Sequence, residues 1–205
     1  MPRPSALSSR SLILLLLLGI ALAACDKRSG EPEQANAVTS SGVTAGEVPP
    51  SVSGDAAPGK YVIDRSKAGT SLPDLAFADA DGKRVPLSGF KGKPLLINLW
   101  ATWCAPCVAE MPQLDRVAKG GLPVLAVSQD TMEAAKVIAF FNGKGFVHMT
   151  PGLDPENSFA FHYGTGVLPT SVLYGADGRE IARVSGAPDW ESGEGKALLA
   201  EATGR

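Results

Sequence analysis

Residues 95–107 read Leu95-Leu96-Ile97-Asn98-Leu99-Trp100-Ala101-Thr102-Trp103-Cys104-Ala105-Pro106-Cys107. Leu95 to Trp100 is apolar at every position but Asn98, as a strand buried on both faces requires. From Ala105 to about Lys119, Val108, Met111, Leu114 and Val117 recur at helical spacing, and Gly120-Gly121 ends the run. Two cysteines separated by two residues therefore stand at a strand-to-helix junction. The first turn of a helix carries unpaired N–H groups and partial positive charge. A thiolate there is stabilised, and its pKa falls from ~8.5 toward ~7 or lower. Only the thiolate attacks a disulfide. Cys104, at the helix entrance, is the expected exposed nucleophile. Cys107, one turn in, is the expected buried cysteine that resolves the mixed disulfide. Ala105 and Pro106 occupy the helix start, where the missing proline N–H costs nothing. Trp103 is expected to shield the pair and offer partners an apolar platform, with core packing as the alternative.

Zinc is the competing use of such a pair, but a zinc site needs about four ligands. The chain has one further cysteine, Cys25, and two histidines, His148 and His162. No metal site is expected, His148 reads as structural, and His162 reads as a surface residue, with a place facing the site as the alternative.

Around this centre, Leu75–Phe77 and Arg84–Leu87 flank Ala80-Asp81-Gly82-Lys83, a hairpin signal. Val124–Val127 reads as a second buried strand. Asp130-x-x-Glu133 resembles a capping box and predicts a helix running to Asn142. A short strand is expected at Phe146–Met149, then a short helix capped at Asp154 with Pro155 at its first position. Thr170–Tyr174 and Glu180–Val184 flank Gly175-Ala176-Asp177-Gly178 as a late hairpin adding antiparallel edges. A closing helix is expected from Trp190 to Ala202. Strands alternating with helices require parallel pairing and right-handed crossovers. The fold class is α/β, with a mixed central sheet flanked by helices.

The amino terminus differs in kind. Arg3 and Arg10 precede Leu12–Ala24, an uncharged run of 13 residues. A spanning helix needs roughly 20, so the run reads as a secretory signal. Leu22-Ala23-Ala24-Cys25 resembles the lipobox of bacterial lipoproteins, which implies a diacylglyceryl group on Cys25; an ordinary cleavage site is the alternative. Asp26 resembles an inner-membrane retention signal. Residues 25–65 are rich in Ser, Gly, Ala, Pro, Glu and Thr and read as a lipid-anchored flexible linker, since such a stretch cannot offset its ordering entropy. The expected organisation is signal peptide 1–24, linker 25–65 and one domain, 66–205. One cysteine for lipid and two for redox leave none for a structural disulfide. With 44% hydrophobic and 20% charged residues and a net charge of −2, nothing marks a nucleic-acid partner.

Asn98 to Cys107, followed by Glu110-Met111-Pro112, resembles the thioredoxin superfamily, and within it the membrane-tethered extracytoplasmic TlpA/ResA/CcmG-like branch. The resemblance covers about residues 70–205. It implies a thioredoxin fold with an added amino-terminal β-hairpin. It also implies that Val167-Leu168-Pro169-Thr170 is a loop carrying a cis-proline opposite the cysteines. Leu168, Pro169 and Thr170 would there bind substrate, Leu168 offering its backbone as a short strand. The sequence by itself shows a proline just before a strand. Cytoplasmic thioredoxins carry a buried Asp at the Asn98 position, and an amide cannot serve as that base. Glu110, three residues after Cys107, falls on the same helix face, and TlpA/ResA-like proteins also carry a Glu there. Partly buried, it would titrate high and shuttle the Cys107 proton; an exposed helix carboxylate is the alternative.

The expected activity is that of a thiol:disulfide oxidoreductase on the periplasmic side of a bacterial membrane, lipid-anchored, with the inner membrane favoured. It would reduce client disulfides through the Cys104/Cys107 dithiol and need no other cofactor. The resemblance implies clients such as apocytochrome c or oxidase copper-site proteins, and a membrane electron donor of the DsbD/CcdA type. A disulfide-forming oxidase is the rival, as is a non-enzymatic tethered interaction protein. DsbA-like oxidants have Pro-His between their cysteines, where the histidine stabilises the thiolate; Ala105-Pro106 cannot. Peroxidase chemistry would need a Thr-x-x-Cys pattern, and Thr102 is too close to Cys104.

Overall fold

The computed structural model describes residues 60–204 and the two-residue strand Ser53–Gly54. The chain divides into Met1–Glu47 and Val48–Arg205, and every described residue belongs to the second unit. The signal segment, Cys25 and most of the expected linker lie outside the described residues.

In chain order the elements are β1 (Ser53–Gly54), β2 (Tyr61–Asp64), β3 (Ala76–Ala78), β4 (Arg84–Pro86), a single 3-10 turn at Leu87–Phe90, β5 (Leu95–Trp100), α1 (Ala105–Lys119), β6 (Val124–Ser128), α2 (Ala134–Gly143), β7 (Thr150–Leu153), α3 (Ser158–Tyr163), β8 (Thr170–Tyr174), β9 (Glu180–Ser185) and α4 (Gly193–Thr203). The strands form one sheet in the order β1-β2-β9-β8-β5-β6-β7-β3-β4. β5, β6 and β7 run parallel, and the other pairings are antiparallel. Among the described residues no helix is long and apolar enough to cross a membrane.

The pleat of β5 sorts its side chains into two cores. Leu95, Ile97 and Leu99 pack with Leu125, Val127, Val172 and Tyr174 beneath Phe159 and Tyr163 of α3. Leu96 and Trp100 face the other way, toward Met111 and Leu114 of α1, Val137 and Phe141 of α2, and Leu198 of α4. Period two therefore aims Asn98 at the α1 side. Each fully buried apolar side chain contributes about 1.5–3 kcal/mol, and Leu95, Leu96, Ile97, Leu99 and Trp100 together outweigh the ~1–3 kcal/mol cost of one unmet polar atom, so β5 tolerates the amide at its centre.

Several sequence expectations need correction. The expected strand at Phe146–Met149 is a loop, and β7 begins at Thr150. Asp115 Oδ1, on α1, accepts the N–H groups of Val147, His148 and Met149 at 3.1, 2.8 and 3.2 Å. Donors held by a side chain cannot also serve a ladder. The Asp130-x-x-Glu133 box does not cap α2, which starts at Ala134 with no side-chain cap. Asp130 is engaged elsewhere, as described below. The Asp154 carboxylate does cap α3, at 3.0 Å from Ser158 N and 2.9 Å from Phe159 N, but the helix starts at Ser158 and Pro155 stays in the loop. The closing helix starts at Gly193, where the Ser192 hydroxyl accepts from Gly195 N at 3.1 Å. The β8–β9 hairpin is internal to the sheet rather than at its edge, because β2 pairs with β9.

That last pairing also corrects the domain boundary. Tyr61–Asp64, placed in the linker by composition, is a sheet strand. Tyr61 donates its hydroxyl to Glu194, and Arg65 makes a bidentate pair with Glu201 at 2.8 Å, so both ends of β2 are fastened to α4. Gly186 permits the fit. Its φ is +97°, and an added Cβ would stand 2.2 Å from Lys60 O. Gly186→Ala is therefore expected to destabilise the oxidised chain by about 2–4 kcal/mol in urea unfolding, combining left-handed strain with a backbone clash. An unchanged midpoint would show that β2 can move aside freely.

Candidate active site

Cys104 is the N-cap of α1, and Cys107 lies one turn inside. They are joined by a disulfide, with Cα atoms 5.3 Å apart. Cys107 N donates to Cys104 Sγ at 3.4 Å, so the sulfur sits where the first turn presents its free N–H groups. Cys107 is fully buried, as expected, but Cys104 is only 5% exposed. The expectation of an open nucleophile is corrected to this extent: in the oxidised chain Cys104 packs into the same apolar cluster as Cys107, and Leu168 packs against that cluster. Trp103, by contrast, is 70% exposed, which excludes its core-packing alternative.

The loop before Cys104 is anchored by a residue the sequence reading assigned to a helix cap. Asp130 accepts from Thr102 N at 2.9 Å, from Thr102 Oγ1 at 2.7 Å and from Ser128 Oγ at 2.7 Å. Parallel pairing of β5 with β6 puts their carboxyl ends side by side, so a carboxylate just past β6 reaches the turn just past β5.

The Leu168–Pro169 bond is cis. Pro169 is buried, Leu168 is partly exposed and Val167 is exposed. Pro169 O accepts from Gly186 N at 2.9 Å. Thr170 was expected to bind substrate, but it is 1% exposed. Its hydroxyl turns inward to Val167 O at 2.7 Å and Thr165 Oγ1 at 2.8 Å, so it shapes the loop from within. His162 is exposed, its ring edge-on to Tyr163, and His148 pairs with Asp115 at 2.9 Å. A cavity of about 500 Å³, lined in part by Pro94, Gly175 and Arg179, opens at the other end of β5 from the cysteines.

Glu110 is 4% exposed, so the alternative of a solvated helix carboxylate is excluded. Its Oε1 accepts from Asn98 Nδ2 at 2.7 Å and its Oε2 from Trp190 Nε1 at 3.1 Å. Asn98 Nδ2 also donates to Ser171 Oγ at 3.0 Å. Burial pushes the Glu110 carboxyl up to about 8, and the two hydrogen bonds pull weakly the other way. Sequence reasoning found Glu110 and Asn98. It missed Trp190 and Ser171, which arrive from segments 80 and 73 residues away in the chain. The one legible trace was Asn98 itself, a polar break on the α1-facing side of an apolar strand.

The Redoxin family model matches residues 67–198. The ResA thiol-disulfide oxidoreductase of Bacillus thuringiensis is 31% identical over 136 residues, covering 64% of this chain and 78% of the relative. Among solved structures, a Chlorobium tepidum protein assigned as the thiol:disulfide interchange protein DsbE superposes with a TM-score of 0.58 at 26% identity, over 66% of this chain and 96% of that one. The exposed lipoprotein thioredoxin Etrx1 of Streptococcus pneumoniae gives 0.50 at 26% identity, over 63% and 99%. A cysteine pair at the head of α1, a cis-proline loop and a thioredoxin-like mixed sheet agree with those matches. The chain belongs to the Redoxin family, in the TlpA/ResA/CcmG-like branch of the thioredoxin superfamily, and is a thiol:disulfide oxidoreductase.

Proposed function

We propose that the chain is an extracytoplasmic reductase of client-protein disulfides, tethered through lipid on Cys25. The observation that carries this reading is the placement of Cys104 at the head of α1, with Cys107 and Glu110 buried behind it. The Cys104 thiolate attacks one sulfur of a client disulfide, forming a Cys104–client disulfide and expelling the other client sulfur as thiolate. Glu110, ionised, takes the Cys107 proton. The Cys107 thiolate then attacks Cys104 Sγ and expels the second client thiolate. The chain is left as the disulfide seen here, and a donor of two electrons and two protons restores the dithiol. The dithiol carries both electrons, so no further cofactor enters. Exposed Trp103, next to Cys104 in the chain, and exposed Val167, two residues before the cis-proline, supply apolar surface for a client segment, and Leu168 offers its backbone.

Reduction is favoured over oxidation because Ala105-Pro106 places no cation between the cysteines. The relative names DsbE and ResA support cysteine-pair clients, and the family resemblance extends this to apocytochrome c or oxidase copper-site proteins. A DsbD/CcdA-type membrane protein is the fitting donor. Leu22-Ala23-Ala24-Cys25 supports the lipid anchor, as does the exposed-lipoprotein character of the pneumococcal relative. Residues between Cys25 and β1 serve as the tether, and Asp26 favours the inner membrane.

The test is the reduction potential of the full chain equilibrated against glutathione or dithiothreitol. A value below about −200 mV, toward the −270 mV of thioredoxin, is expected. A value near the −120 mV of DsbA would make the chain a disulfide donor and overturn the reductive direction.

A further inference from the structure

Both oxygens of Glu110 face donors, Asn98 Nδ2 on one side and Trp190 Nε1 on the other. That surrounding suits a carboxylate. A carboxylic acid has a proton of its own, which would meet an N–H wherever it points along these contacts. The indole cannot accept, but a carboxamide has one donor end and one acceptor end. Asn98 is fully buried, and its Oδ1 has no hydrogen-bond partner. Nothing polar therefore holds the amide in its present sense except Glu110 and Ser171.

From this geometry we infer that Asn98 is a positioning residue that turns over with the protonation of Glu110. With Glu110 ionised, Nδ2 donates to Glu110 Oε1 and Ser171 Oγ, as observed. With Glu110 protonated, the amide rotates by half a turn and Oδ1 accepts from the Glu110 O–H. Ser171 adapts in place, since a hydroxyl both donates and accepts. Either orientation leaves one amide end unpartnered, so the two senses are closely matched and the carboxyl proton decides between them. A leucine here could not respond, and an aspartate would set two carboxylates 2.7 Å apart. Asn98 thus keeps both forms of Glu110 hydrogen-bonded.

Few other groups enter this balance. Cys107, on α1, is held in the disulfide when the chain is oxidised. Arg116 of α1 pairs with Glu191 at the surface, Asp189 beside Trp190 is exposed, and Tyr174 of β8 lies in the core on the opposite face of the sheet.

The inference rests on Glu110 being the titrating proton carrier of the proposed reaction, and the experiment separates the two. In the oxidised full chain, the Glu110 carboxyl carbon and the Asn98 side-chain amide are followed by NMR from pH 5 to 10. The Asn98 amide signals are expected to move with the same midpoint as Glu110, and to lose that movement in Glu110→Gln. In Asn98→Leu the Glu110 midpoint is expected to rise by at least half a pH unit. A stationary Asn98 amide across the Glu110 titration overturns the turnover while leaving the proton-carrier reading standing. No Glu110 titration in that range overturns both.

Discussion

Cys104→Ser is expected to abolish disulfide reduction, and Cys107→Ser to stop the reaction halfway. The two losses differ in kind because the two sulfurs do different work. Without the Cys104 thiolate no bond to the client forms, and turnover falls by about a thousandfold or more. Without Cys107 the first exchange still runs, since Cys104 keeps its place at the head of α1. The mixed disulfide then has no internal attacker and accumulates. Incubating each pre-reduced variant with an excess of a disulfide-containing protein, followed by non-reducing electrophoresis, reads both outcomes. A stable adduct with Cys107→Ser and none with Cys104→Ser is expected. The reverse pattern would exchange the roles of the two cysteines.

Glu110→Gln is expected to stabilise the oxidised chain progressively as pH rises. The carboxyl titrates at about 8 in the folded chain against an ordinary 4.5. Between those values the folded state holds a proton that the unfolded state has released, so the wild-type chain loses stability as pH climbs through that window. Below it the contribution is fully present; above about 8 the loss is complete. At 1.36 kcal/mol per pH unit the whole shift corresponds to about 5 kcal/mol, and Gln, which never ionises, should recover about 3 kcal/mol of it after its poorer hydrogen bonding. Urea unfolding at pH 5, 7 and 9 measures this. Parallel curves for the two proteins would mean that Glu110 is not buried as charge. The same substitution removes the acceptor for the Cys107 proton, so client release should slow by about a hundredfold and lose its inflection near pH 8.

Leu95–Cys107 made the centre of this molecule legible because burial and periodicity act locally. A short run apolar on both faces reads as a central strand, and the helical spacing from Val108 to Val117 puts the cysteine pair at the start of the next helix. The Asp81-Gly82 hairpin was legible for a similar reason: turn chemistry is a property of a few adjacent residues. The errors fall where a side chain reaches across the fold. Asp130 looked like a cap and is an anchor for Thr102. Residues 146–149 looked like a strand and are held by Asp115. Tyr61–Asp64 looked like linker because four residues carry little compositional weight, and their partner β9 lies some 120 positions on. The Trp190 contact to Glu110 had no local trace at all.

The pairing of β2 with β9 decides where this chain can be cut. A fragment beginning at residue 66 would keep the cysteines, α1 and the cis-proline loop, yet it would strip Val62–Asp64 from Arg183–Ser185. The backbone donors and acceptors thereby released on β9 would form a raw edge, ready to pair with the same edge of a second molecule. Such a fragment would self-associate and lose the fastening of Tyr61 and Arg65 to α4, and defects measured on it would be those of a frayed sheet rather than of the redox centre. The first residue of any soluble version belongs before β1, at or upstream of Ser53.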